Sequence, residues 1–582
     1  MRKRTALLAV FLLAVASLAV GQHTKVVQDS QSTRGVSGKV SPELLALIAQ
    51  SRGAQVSARA NVIVQFRHPV TNTHVQKVTK LGGSYQRSFR VIRGGTFGVP
   101  RNQILKLAGD PEVAYISLDR PVAGANDYYE ETVGGSVAQS YGWDGTGVAV
   151  AVIDSGVSDH PDLHDANGVS RVVYSQSFVP GTDTTDGYGH GTHVAGIVAG
   201  NGAMSGGNGK NNPSSVNTEI FGVAPNVQIV NLKVLDASGA GTDSYVIAAL
   251  QQAIALKNVY NIRVVNLSLG RRVYESYKLD PLCQAVEAAW QSGLVVVVAA
   301  GNWGRDNSLG TDGYGMTAAP GNDPYVLTVG STRTMGTPSP GDDRIASYSS
   351  KGPTLIDHIV KPDLVAPGNN VVSLLANGST LDKGSPGNEV KGSKDKVGKN
   401  SYFTLSGTSM ATPVVSGAVA LLLQQNSGLT PDQVKARLMK TADKVGFPAF
   451  DMMTVAGVNY KHQYDVFTVG AGYLDVDGAL ADTNIAQGNA LSPVAVRDNY
   501  GNVILQADGS SVWSTSVIWG SSVIWGSSVL VSGTSVIWGS SVVWGSSSVT
   551  GYSVIWGSSV IWGSSVDAAS AQSVDDYGDP DQ

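Results

Sequence analysis

Hydrophobic and polar positions divide the chain into regions of different period. Asn61–Phe66 alternates as a strand, with Val62, Val64 and Phe66 at the two-residue period of a buried face, and Val113–Leu118 reads as a second one. Val75–Leu81 and Asn102–Ala108 carry apolar residues at helical spacing, as does Glu43–Ala49 within an otherwise polar, Ser/Gln-rich stretch. Residues 59–122 therefore predict a compact α+β module, and the polar run Gly124–Glu131 predicts a linker after it. Beyond the linker the strands lose their alternation. Val148–Ile153, Val227–Lys233, Val264–Leu269, Leu294–Ala299 and Val326–Gly330 are runs dominated by apolar or β-branched residues, the pattern of strands buried on both faces. Helical patterns at Ser244–Lys257 and Pro281–Ser292 lie between them. This alternation predicts an α/β fold, a doubly wound parallel sheet with helices on both faces. The glycine-rich pieces Asn201–Asn212 and Gly378–Asn400 read as surface loops.

The two ends follow other rules. Arg2-Lys3-Arg4 precedes an apolar run from Ala6 to Val20, broken only by Ser17, with small residues before Gln22. A basic head, a short apolar middle and a small-residue end describe a secretory signal peptide, so export from the cell is expected. The other end, Gly509 to Val566, has no charged residue and repeats Ser-Val-Ile-Trp-Gly-Ser, with Trp513, Trp519, Trp525, Trp538, Trp544, Trp556 and Trp562 as its markers. This Trp/Ser/Gly-rich tail fits either stacked short strands or a low-complexity segment without fixed structure, and its apolar repeat suits attachment to a surface or a polymer. The resulting division is a signal peptide over 1–21, an N-terminal segment over 22–126, a central α/β domain over 127–485 and a repeat tail over 486–582.

Composition narrows the function. Across 582 residues, 41 basic side chains face 45 acidic ones, a formal net charge of −4 that gives no reason to expect nucleic acid as a partner. The charge is unevenly spread: residues 22–121 hold 14 Lys/Arg against 5 Asp/Glu, and residues 122–582 hold 24 against 40. The single cysteine, Cys283, excludes an internal disulfide and reads as a small core residue.

Three segments of the central domain bear chemistry. Asp154 ends a buried strand in Val-Ile-Asp-Ser-Gly, at the sheet edge where active sites form. His190 and His193 lie in Gly189-His-Gly-Thr-His-Val-Ala-Gly, which opens a helix. Ser409 lies in Gly407-Thr-Ser-Met-Ala-Thr-Pro413 at another helix start, where the dipole favours negative charge. A serine nucleophile needs a histidine base and a buried carboxylate to hold that base in one tautomer. The developing oxyanion needs aimed donors, and the Ser409 N–H and Asn302, just past another strand, are candidates. The i, i+3 histidines also suit a metal, although no nearby Cys, Glu or third His completes a zinc set.

Asp, His and Ser in that chain order, each framed by glycine, resemble the subtilisin-like serine peptidases (subtilases). The resemblance runs from about Trp143 to Leu480 and includes Asn266-Leu-Ser-Leu-Gly270, Ser347-Tyr-Ser-Ser-Lys-Gly-Pro353 and Lys361-Pro-Asp-Leu-Val-Ala-Pro-Gly368. It implies a secreted serine endopeptidase with Asp154, His190 and Ser409 as its triad and Asn302 in the oxyanion hole. It also implies a substrate groove at Ser268, Leu269, Gly270, Ala300 and Gly301 that pairs strand-like with a peptide backbone. The segment before the linker resembles the family's inhibitory propeptide, a partner that is cleaved off during self-processing. The chemistry requires no cofactor. Asp162, in His160-Pro-Asp-Leu163, matches a calcium-binding aspartate of some relatives, but the loop before Gly222-Val-Ala-Pro225 differs in length. Structural calcium is left open there beside a plain surface carboxylate. Trp303, next to Asn302, is expected at the rim of the pocket that receives the substrate side chain. Two other functions fit the same residues: a transpeptidase or ligase using the same acyl-enzyme, and a non-catalytic surface adhesin working through the tail.

Overall fold

The computed structural model describes residues 36, 38–50, 58–89, 93–118, 129–205, 219–395, 400–443, 447–497, 503–506, 529–532 and 579. The expected signal peptide, most of the linker, much of the first glycine-rich loop and all the repeat tryptophans lie outside them. The chain divides into two compact units, residues 1–123 and 124–582.

The smaller unit is a four-stranded antiparallel sheet in the order β2-β3-β1-β4, with β1 at Arg59–Phe66, β2 at Ser84–Phe89, β3 at Gly94–Pro100 and β4 at Val113–Leu118. The helices Pro42–Gln50, Asn72–Lys80 and Ile104–Ala108 accompany it. Val62, Val64, Val78, Phe97, Ile104 and Ile116 share one buried core, which explains why β1 keeps its alternating pattern. The hairpin β2–β3 was not foreseen. Its strand Gly94–Pro100 (GGTFGVP) has weak intrinsic preference for extended structure and is carried by pairing on both sides.

The larger unit is built on an eight-stranded sheet. Its strands are β5 (Ala149–Asp154), β6 (Val172–Ser177), β7 (Gln228–Lys233), β8 (Ile262–Leu267), β9 (Val295–Ala299), β10 (Leu327–Arg333), β11 (Arg344–Ile345) and β12 (Leu364–Pro367). The path runs β11-β10-β9-β8-β5-β7-β6, with β12 also on β10. Every pairing is parallel except β10 with β11, so the expected wholly parallel sheet is mixed at one edge. All residues of β5 and β9 are buried. Successive side chains point to opposite faces, so both faces are covered, as the unbroken apolar runs require. The helices His190–Ala199 and Thr408–Gln425 pack on each other and on the sheet, as do Asp243–Tyr260 and Pro281–Gln291. The consecutive strands β7 and β8 flank β5, so the chain reverses direction across the sheet there. In such sheets the crevice at the strand C-termini beside that reversal is the place for a ligand. Asp154 closes β5, Ser268 follows β8 and Ala300 follows β9, all at that edge.

Two loop expectations change. Gly378–Asn400 contains the helix Thr380–Gly384 and a short strand, Glu389–Val390, rather than loop alone. Near the start of the larger unit, Tyr129–Thr132 is helical where the end of a linker was expected. Beyond the sheet, Val494–Arg497 and Val503–Gln506 form an antiparallel pair, and Val529–Ser532 adds in parallel to the second. Among the described residues, no helix is long and apolar enough to cross a membrane.

Candidate active site

The Asp154 carboxylate ends its strand fully buried, with Oδ1 accepting from the Ser155 N–H at 2.7 Å and facing His190 Nδ1 at 2.8 Å. A carboxylate can only accept there, so His190 carries its ring proton on Nδ1, and Nε2 is the basic nitrogen. His193 has a different environment. Its Nε2 donates to the carbonyls of Val371 and Phe403 at 3.1 and 3.0 Å, joining two neighbouring strands. Complete burial lowers its pKa to about 3, so this ring stays neutral.

Asp186, which the sequence reading did not single out, fixes both loops. Oδ1 accepts from Gly189 N–H at 2.7 Å and from the Ser155 hydroxyl at 2.8 Å, while Oδ2 accepts from Thr192 N–H at 2.7 Å. The Ser155 hydroxyl oxygen in turn accepts from Gly191 N–H at 2.9 Å. A carboxylate thus satisfies the open N–H groups of the helix that begins at His190, and burial pushes its pKa up. The available signal was its position four residues before His190. The loops also touch at Gly191, where a Cβ would stand 2.2 Å from the Gly156 carbonyl oxygen. Only glycine permits that approach.

Ser409 sits in the first turn of the helix Thr408–Gln425, and its hydroxyl donates to the Ser268 carbonyl at 3.1 Å. Pro413 explains a second link. It has no N–H to give the carbonyl four residues earlier, and that carbonyl, on Ser409, accepts instead from the Ser268 hydroxyl at 2.7 Å. Asn266 donates to the same hydroxyl and accepts from Ser416, so the end of β8 is fastened to the serine's helix.

Asn302 is oriented by Thr408. Its Oδ1 accepts from the Thr408 N–H and hydroxyl, each at 2.9 Å, and the Gly301 N–H donates to that hydroxyl at 3.1 Å. A backbone N–H cannot accept, so the amide has one allowed orientation, with oxygen toward Thr408. The nitrogen is then the end turned away from Thr408.

The expected groove residues play differing parts. Ser268 uses its side chain internally, so only its backbone suits a peptide partner. Leu269 and Gly270 are buried, and a Cβ on Gly270 would meet Ala318 at 2.9 Å. Ala300 already exchanges backbone bonds with Val329 and Ala318, whereas Gly301 adopts φ +101° beside Trp303. Trp303 is covered by the Arg272 guanidinium, 5.1 Å from the ring centroid, and Arg272 is paired with Asp306.

Asp162 is not a surface carboxylate. It is fully buried, with Oδ1 accepting from Met204 N–H at 2.8 Å and Oδ2 from the Tyr402 hydroxyl at 2.7 Å. Both oxygens are engaged by protein donors, a poor arrangement for calcium. Among the described residues no group of three or more His, Cys, Asp or Glu side chains is placed to hold a metal.

Comparison with known proteins gives a coherent answer. The profile described as the Subtilase family matches residues 145–460. The chain is similar to the serine protease AprX of Bacillus subtilis (strain 168), 40% identical over 310 residues, covering 52% of this chain and 62% of AprX. Similarity to subtilisin E of the same organism is 32% over 408 residues, 68% of this chain and 89% of that protein. The alkaline elastase of Bacillus sp. (strain YaB) is 35% identical over 340 residues, 58% of this chain and 71% of the elastase.

Proposed function

Because the chain belongs to the subtilase family, we propose that it is an exported serine endopeptidase that cleaves peptide bonds through an acyl-enzyme on Ser409 and is made as a self-processed precursor. The observation that supports this reading is the buried His190–Asp154 pair at 2.8 Å, with the Ser409 hydroxyl bonded to Ser268 just past the end of β8. The Ser409 hydroxyl attacks the scissile carbonyl carbon while its proton passes to His190 Nε2. Asp154 keeps the Nδ1–H tautomer and balances the imidazolium that forms. The carbonyl oxygen becomes an oxyanion and accepts from the Ser409 N–H and Asn302 Nδ2. His190 then returns the proton to the leaving nitrogen as the C–N bond breaks, and water repeats the sequence to release the acid.

The partners follow from the same reading. Protein substrates lie along Ser268–Gly270 and Gly301 in extended form, which gives affinity with little sequence preference. The N-terminal segment acts as the chain's own inhibitor until it is cut, and its basic excess over an acidic body supports that pairing. The repeat over 509–566 attaches the enzyme to a surface or polymer.

Purified enzyme should hydrolyse a small soluble peptide substrate, and Ser409→Ala should abolish that activity and leave the precursor uncut. Asn302→Ala should lower kcat by about 10²–10³ with little change in KM, the loss established for the corresponding asparagine of a subtilisin. Correctly cut protein recovered from Ser409→Ala would refute self-processing.

A further inference from the structure

Asp579 is almost at the end of the sequence, in a segment rich in aspartate, yet its side chain is completely buried against the peptidase unit. Placing a carboxylate out of water is costly unless charge and hydrogen bonds compensate. Here they do. The Arg305 guanidinium donates to Oδ1 at 2.8 Å, the Ser347 hydroxyl donates to Oδ1 at 2.5 Å and the Ser347 N–H donates to Oδ2 at 2.5 Å. Arg305 is itself positioned by a bond from Nε to the Ser347 hydroxyl at 2.7 Å and by the rings of Tyr348 and Tyr460, each 5.8 Å from its guanidinium carbon.

The backbone of Asp579 is read as well. The side-chain amide of Asn369 accepts from its N–H at 2.9 Å and donates to its carbonyl at 2.8 Å, imitating one rung of a β-ladder. Asn370 adds a longer contact to the same carbonyl at 3.4 Å. Each described hydrogen bond to the carboxylate comes from a donor, so an amide of the same shape would turn its own N–H groups against donors.

We propose that Arg305, Ser347 and Asn369 form a recognition site for an aspartyl residue within a peptide, and that its resident ligand is Asp579 of this chain. The site lies apart from the proposed triad but is fastened to its supports. Gly304 N–H donates to Tyr348 C=O at 2.7 Å and Ser350 N–H to Gly301 C=O at 2.9 Å, which joins the Ser347 loop to the Asn302 loop. Asn370 N–H donates to the Ser406 hydroxyl at 2.9 Å and Gly407 N–H to Gly368 C=O at 2.8 Å, which joins the Asn369 loop to the turn before Ser409. Docking Asp579 therefore stitches together three loops that back the oxyanion and nucleophile positions.

Hydrogen exchange on the full chain tests this, with Ser409→Ala present throughout to keep it intact. The Ser347 amide, whose acceptor is Asp579, should exchange about tenfold or more faster when Asp579→Ala is added, while amides in Ala149–Asp154 keep their rates. Asp581→Ala should leave Ser347 protected. A synthetic peptide of residues 575–582 should restore protection to the Asp579→Ala chain, and the same peptide with asparagine at 579 should not. Unchanged Ser347 exchange in Asp579→Ala would overturn the proposal, as would equal restoration by the two peptides.

Discussion

His190 and His193 stand three positions apart on one helix, and their environments assign them opposite duties. A carboxylate faces the first, and two backbone carbonyls face the second. Burial brings His193 down to about 3 from 6.5, below its value in an unfolded chain. Between pH 6.5 and 3 the unfolded chain therefore holds a proton that the folded chain lacks, and stability falls as pH drops through that window. His193→Gln keeps a donor for the two carbonyls and removes the titration. Denaturant midpoints at pH 7 and pH 4 should differ less in this variant than in the unsubstituted protein, and an equal difference would reject the assignment. The sequence held the candidate triad because each member is framed by glycines in a recognisable turn. It did not hold Asp186, whose importance arises from bonds to residues 31 and 3–6 positions away that exist only once the loops meet. Asp162 misled for a related reason: an aspartate in a Pro-containing turn looks exposed until Tyr402, 240 residues later, is brought against it.

At the scale of elements, the site is an arrangement of strand ends and helix starts. The strand β5 delivers Asp154, the Asp186 carboxylate anchors the first turn of the His190 helix, and Pro413 frees the carbonyl that ties Ser409's helix to β8. Asp186→Ala strands three donors around a buried space and should cost about 2–4 kcal/mol of stability. On the proposed mechanism it should also lower kcat more than it raises KM, because it displaces His190, the proposed base, and not the proposed groove. Asp186→Asn keeps an acceptor and should recover part of both. A KM effect alone, with kcat unchanged, would show that Asp186 does not position His190. The central strands of this sheet were legible because burial on both faces writes a largely apolar, β-branched run. The hairpin β2–β3, with the run GGTFGVP, and the edge strands β6, β11 and β12 were not: β3 is glycine-rich and β11 and β12 are short, so neighbours rather than local preference hold them extended, and β6 (VVYSQS) is only half-buried and lacks the apolar run of the central strands.

Over the whole molecule, charge is distributed by region: a basic N-terminal segment and an acidic remainder. Residues 22–126, made separately and added to mature enzyme, should inhibit it, with an on-rate that falls several-fold from low to high salt while the off-rate changes less. The reason is that long-range steering is screened beyond about 8 Å at physiological ionic strength, whereas contact energy is not. Stopped-flow inhibition at two salt concentrations would measure both, and absence of inhibition at micromolar concentration would remove the inhibitor role. The central claim, that Ser409 is a nucleophile activated by His190, has a more direct test in labelling by a fluorophosphonate. Mass spectrometry of labelled mature enzyme should place the adduct on Ser409. The labelling rate should collapse in His190→Ala and persist in His193→Gln. An adduct on another residue, or a rate insensitive to His190, would contradict the account.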